Sequence, residues 1–140
     1  MGTQQILLIV LSVIIVGVAV AVGIQMFNTQ AMNSNRQAVI GELQTYGTQI
    51  MLYHRTPASQ GGGGNSKLAY ASVNVEAFLG WDIAVHSSDT GVFTFWDTEA
   101  GEITIIGVGT ETGNDGTNKV KATLTVTMAN ATPLNIVINN

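Results

Sequence analysis

The stretch "QAVIGELQTYGTQIMLYHRTP", residues 37–57, decides how this chain folds. Val39, Leu43, Tyr46, Ile50 and Tyr53 recur at steps of four, three, four and three, which sets them on one face of an α-helix. Gln37, Gln44, Thr48 and Gln49 fill the other faces. Thr56-Pro57 closes the helix, because a residue before proline avoids the α region. A helix with one apolar stripe needs an apolar partner, and the partner has to come from elsewhere in the chain.

Upstream the character changes. From Ile6 to Ile24, nineteen residues carry no charge, and only Ser12 interrupts the aliphatic and glycine run. At the α-helical rise this run spans about 28 Å, close to the hydrocarbon thickness of a bilayer. It reads as a membrane-spanning helix. A cleaved signal peptide, with Ala19-Val20-Ala21 as the small-residue site, fits less well because Met1 to Gln5 hold no Lys or Arg. A helix apolar on every side is also hard to cover inside a soluble domain of 140 residues. No proline occurs between Gln25 and Arg55. The two halves are therefore expected to form one helix of about 50 residues, roughly 75 Å long.

Downstream, Gln60-Gly61-Gly62-Gly63-Gly64-Asn65-Ser66 reads as a flexible surface loop, and no Gly-Lys-Ser/Thr follows that would make it a phosphate loop. Leu68 to Trp81 is ambiguous: "VEAFLGW" fits a short helix or a connection that carries Phe78 and Trp81 into the core. The period then becomes two. "GVFTFWDT", "GEITIIGVGT", "KVKATLTVTM" and "PLNIVIN" read as strands, with Asn114-Asp115-Gly116 as a turn before the third. Val120, Ala122, Leu124, Val126 and Met128 share one face of that strand, and Leu134, Ile136 and Ile138 share one face of the last. The expected fold is α+β: a long N-terminal helix packed on an antiparallel meander of three or four strands, one face wet and the other covered by the Val39–Tyr53 stripe. Residues 1–27 form an apolar helix and residues 28–140 a globular head. The head divides into the amphipathic half-helix 28–56, the Gly-rich loop 57–67 and the sheet region 68–140.

Composition narrows the function. Only 10% of residues are charged and the net charge is −4. The five basic residues, Arg36, Arg55, Lys67, Lys119 and Lys121, form no cluster, which argues against nucleic acid as a partner. With no cysteine, disulfides, thiol nucleophiles and cysteine metal sites are excluded. His54 and His86 lack a carboxylate constellation for a metal, and His54 reads as a partner for a helix C-terminal dipole. Asp89, Asp97, Glu99 and Glu102 fall on turns and edges without EF-hand spacing. No Ser-His-Asp arrangement emerges. Asn130-Ala131-Thr132, followed by Pro133, is a candidate glycosylation site. The expectation is a non-enzymatic protein with no cofactor and no metal.

The opening "MGTQQILLIVLSVIIVGVAVAVGIQMF", together with the helix-then-strands order, resembles a type IV pilin. The resemblance implies that Met1 stands where the family has its methylated first residue once a leader carrying the basic residues has been removed. Gln5 stands where most bacterial members place a glutamate that meets a neighbour's N-terminal amine. The usual helix-kinking proline near Val22 and a C-terminal disulfide loop are absent. The resemblance further implies a structural subunit of an extracellular adhesive filament: a homo-oligomer, stored in the inner membrane and handled by pilus assembly machinery. Met1 and Gln5 then form the assembly contact. Ile6, Leu7, Ile9, Val10, Val13, Ile14, Val16 and Val20 form the filament core, and Gly17 and Gly23 mark where the helix melts on assembly. The alternatives are a minor pseudopilin or archaeal pilin, and a monomeric membrane-anchored extracytoplasmic binding module.

Overall fold

One helix, α1 (Gly2–Arg55), runs 54 residues without interruption. The computed structural model of the chain describes residues 2–65, 72–99, 101–127 and 133–140. After α1 come a 3-10 turn (Ala58–Gln60), a short helix α2 (Ser72–Leu79) and five strands: β1 (Val85–Ser87), β2 (Gly91–Glu99), β3 (Glu102–Thr112), β4 (Lys119–Thr127) and β5 (Leu134–Ile138). The strands pair antiparallel in chain order, β1-β2-β3-β4-β5. The protein is α+β, with the second half of α1 lying mainly over β3 and β4.

The expected stripe is the contact. Val39, Leu43, Gly47, Ile50 and Tyr53 are buried, and Tyr46 is half-buried at the margin. They meet Phe93, Phe95, Ile103, Ile105, Ala122, Leu124 and Val126 of the inner sheet face. The burial of β3 and β4 alternates residue by residue along most of their length, as a sheet with one covered face requires. Closeness is set by glycines on both sides. A Cβ at Gly47 would lie 2.5 Å from Leu134 Cδ2, and one at Gly107 would lie 2.9 Å from both Phe93 Cε1 and Val39 Cγ1.

Three sequence expectations change. Among the described residues the meander has five strands, the extra one being β1, three residues long and too short to show a period of two. "VEAFLGW" resolves as the end of α2, closed by Gly80 N donating to Ala77 O at 3.2 Å and Trp81 N donating to Glu76 O at 2.9 Å. That cap turns Trp81 into the core, while Phe78 stays at the rim against Tyr53, ring centroids 5.2 Å apart. Leu134 and Ile136 are half-buried, but Ile138 is 50% exposed. It sits at the end of an edge strand, beyond Leu134 and Ile136, which pack against the core. Met128 lies outside the described residues.

The Gly-rich loop caps α1. Gly63 N donates to Tyr53 O at 2.8 Å, Asn65 N to His54 O at 2.9 Å, and Gly64 N to Thr56 O at 2.8 Å. These amides satisfy carbonyls that the helix end leaves without intrahelical donors. The path needs left-handed backbone at Gly61, Gly64 and Asn65, with φ of 82°, 56° and 58°. The run of glycines is thus a wrapped helix terminus rather than a free linker.

Candidate assembly surface

Among the described residues, nothing packs on the first half of α1. Gln5, Ile6, Leu7, Ile9, Val10, Val13, Ile14, Val16 and Val20 are all exposed, and Phe27, the last large apolar residue of the run, is 80% exposed. From Ile6 to Phe27 the apolar surface is about 33 Å long at the helical rise. No charged side chain precedes Arg36. Within the apolar run the single hydroxyl bonds back to the helix, Ser12 Oγ donating to Ile9 O at 2.7 Å, and just past the run Thr29 Oγ1 donates to Gln25 O at 2.9 Å. Such back-bonding leaves the segment without a hydroxyl that demands water. Gly17 and Gly23 sit in unbroken helix with open space where a Cβ would project. Met1 and Asn130 lie outside the described residues.

The helix is long and apolar enough to cross a membrane near the N-terminus. Its apolar length matches a bilayer core, and every face of it is free.

The junction with the head is polar and specific. Asn35 Nδ2 donates to Thr90 O at 2.8 Å and to Thr110 Oγ1 at 3.2 Å, while Glu111 N donates to Asn35 Oδ1 at 3.3 Å. Gly109 leaves the room for this side chain, since a Cβ there would overlap Asn35 Oδ1. Two turns further, the Glu42 carboxylate accepts from Ser88 Oγ at 3.0 Å and from Thr90 Oγ1 at 2.7 Å. Burial, reinforced by the Glu42 charge and a hydrogen bond to it, pushes the Tyr46 hydroxyl above its ordinary range. These contacts fix how the rod leaves the head. They were legible in principle, because Asn35 and Glu42 continue the Val39 stripe at the same spacing, but polar residues on such a stripe carry no apolar signal.

The groups considered for chemistry fall apart in space. His54 occupies the last turn of α1, whereas His86 stacks on Trp81 with centroids 5.1 Å apart and planes 13° apart. Asp89 is exposed in the β1–β2 turn, and Glu102 opens β3. Asp97 and Glu99 lie on β2. Among the described residues, no three His, Asp or Glu side chains gather as a metal would require. Asp115 organises the β3–β4 turn: its Oδ1 accepts from Thr117 N at 3.0 Å and Asn118 N at 2.9 Å, and its Oδ2 from Asn118 Nδ2 at 2.6 Å. These donors hold its carboxyl well below the usual carboxylate range.

The geometry defines a class: an α+β head carried on a bilayer-length apolar helix. Compared with protein-family models, curated proteins and solved structures, the chain matches none.

Proposed function

We propose that this protein is the structural subunit of a type IV pilus-like filament, anchored in a membrane before assembly and extracellular after it. One observation carries the reading: a single continuous helix is docked on the sheet by its second half and bare on every face of its first. A bilayer covers such a segment, and so does a bundle of the same segments from neighbouring chains. Each buried Leu, Ile or Val side chain stabilises the covered state by about 1.5–3 kcal/mol relative to water. The sheet then lies outside the bundle and sets the surface of the filament. Gln5, an uncharged amide near the tip, offers a hydrogen bond to a neighbour's N-terminal amine without the desolvation cost of a carboxylate.

Electron microscopy of sheared cell-surface material, with the protein assigned by mass spectrometry, tests the reading. Filaments whose axis holds residues 6–24 support it. A stable detergent-borne monomer with no filament on the cell surface supports instead a membrane-anchored binding module, which the bilayer length of the same helix also fits.

A further inference from the structure

The outward sheet face carries a pattern that neither core packing nor membrane anchoring uses. Trp96, Thr104, Thr125 and Asn135 stand in register in one row across β2, β3, β4 and β5. The adjacent row runs Val85, Thr94, Ile106, Thr123 and Val137, with both valines exposed. Neither row holds a charged residue; the bordering rows bring Lys121 on one side and Glu102 on the other. Trp96 is 58% exposed, whereas Trp81 is 6% exposed in the core. An indole left in water on a regular sheet exposes a large apolar ring face. Beside it, each threonine offers a hydroxyl that donates and accepts, and the asparagine amide does both. With strands about 4.8 Å apart, the row is a ladder about 14 Å wide: one aromatic plate followed by three hydrogen-bonding rungs.

We propose that this row is a binding platform for a neutral polysaccharide. The Trp96 indole stacks on the CH-bearing face of one sugar ring, and Thr104, Thr125 and Asn135 bond the hydroxyls of the units that follow. Charge selects the ligand: an uncharged strip on a chain of net charge −4 suits a neutral glycan and disfavours an anionic one or nucleic acid. Position argues against lipid. Thr125 follows Leu124, which faces Gly47, and Gly47 lies twenty residues past Phe27, about 30 Å along the helix from the end of the apolar run. Within the Trp96 row a second copy would find one aromatic anchor and threonines, which are under-represented among the residues that carry protein–protein affinity. The inference does not rest on the filament reading, since a membrane-anchored monomer presents the same face.

The test uses the full chain in detergent, with cellohexaose, chitohexaose and mannohexaose as probes and heparin as the anionic control. Acrylamide quenching reports Trp96, because Trp81 is shielded in the core. Protection of Trp96 by at least one neutral hexasaccharide is expected. Trp96→Ala should weaken binding of that sugar at least tenfold by calorimetry, with unchanged thermal unfolding. Trp96→Tyr, which keeps a stacking ring, should retain measurable binding, and Thr104→Val and Thr125→Val should each weaken it several-fold. Equal protection by heparin, protection by none of the neutral sugars, or protection that appears with rising protein concentration in the absence of sugar would overturn the proposal.

Discussion

Thr90 Oγ1 donates to Glu42 Oε1 at 2.7 Å, tying the middle of α1 to the turn between β1 and β2 across 48 residues of chain. Ser88 Oγ bonds the same carboxylate, and Asn35 takes the carbonyl of Thr90. Glu42→Ala should therefore leave two hydroxyls without their acceptor and lower stability by about 1–2 kcal/mol, the lower end applying because the carboxylate is only partly buried. Glu42→Gln keeps an acceptor oxygen and should cost less. Urea unfolding followed by tryptophan fluorescence measures both, and equal midpoints for wild type and Glu42→Ala would remove the latch.

Leu124 is fully buried between the stripe and the sheet. Leu124→Ala should cost about 2–5 kcal/mol, because the rigid backbone of three strands and α1 limits collapse into the cavity. The same denaturation assay reads it. An unchanged midpoint would mean that the inner face of β4 has been assigned to the wrong residues.

Gly107 and Gly41 give opposite expectations for one substitution. A methyl at Gly107 meets Val39 and Phe93 at 2.9 Å, so Gly107→Ala should destabilise by about 1–3 kcal/mol through overpacking. A methyl at Gly41 meets nothing within 4 Å on the exposed side of α1. Gly41→Ala should stabilise by about 1 kcal/mol through helix propensity. Melting temperatures that move in the same direction for both would contradict the packing.

Asp115 makes a prediction in acid. Its folded-state pKa lies below the ordinary value of 3.8, so its contribution to stability is present above that value and is lost as pH falls below it. The amides of Thr117 and Asn118 should stay hydrogen-bonded well below pH 3.8 and lose their chemical-shift signature only in strong acid, as the folded-state carboxyl takes up its proton. Nuclear magnetic resonance titration of these two amides follows the change. In Asp115→Ala they should exchange freely at every pH.

In the single chain, α1 is unbroken through "VGVAVAVG", Val16 to Gly23. Valine costs up to about 0.7 kcal/mol in a helix relative to alanine and glycine about 1, so this stretch is weaker than poly-alanine by roughly 4 kcal/mol. A bilayer keeps it helical, because unpaired backbone groups there cost several kcal/mol each. Within a filament, neighbouring chains shield the backbone, and the helix should stretch or unwind between Val16 and Gly23. A filament reconstruction with continuous i to i−4 hydrogen bonds from Ile6 through Asn28 would show otherwise.

The spacing of Val39, Leu43, Tyr46, Ile50 and Tyr53 by itself determined the helix, its covered face and its end before Pro57. Likewise the alternation in "KVKATLTVTM" determined which side of β4 is inward, and short turns determined that strands pair in chain order. All of these follow from local periodicity, which each segment carries whatever it packs against. The bareness of the apolar half-helix was also legible, because a helix apolar on every side outruns what a small head can cover. Only the tertiary structure decided the rest. The roles of Gly47 and Gly107 emerge only when α1 is laid on the sheet, where the missing side chains are what let Leu134, Val39 and Phe93 close up. The glycine run reads as a flexible surface loop until its amides meet the carbonyls of Tyr53, His54 and Thr56. Asn35, Glu42, Ser88 and Thr90 lie far apart in sequence and become one junction only through folding. Trp96 and Asn135 enter one uncharged row only through strand register. Periodicity says which face of a segment avoids water; contact between segments says which atoms must be absent, which must pair, and which distant residues share a surface.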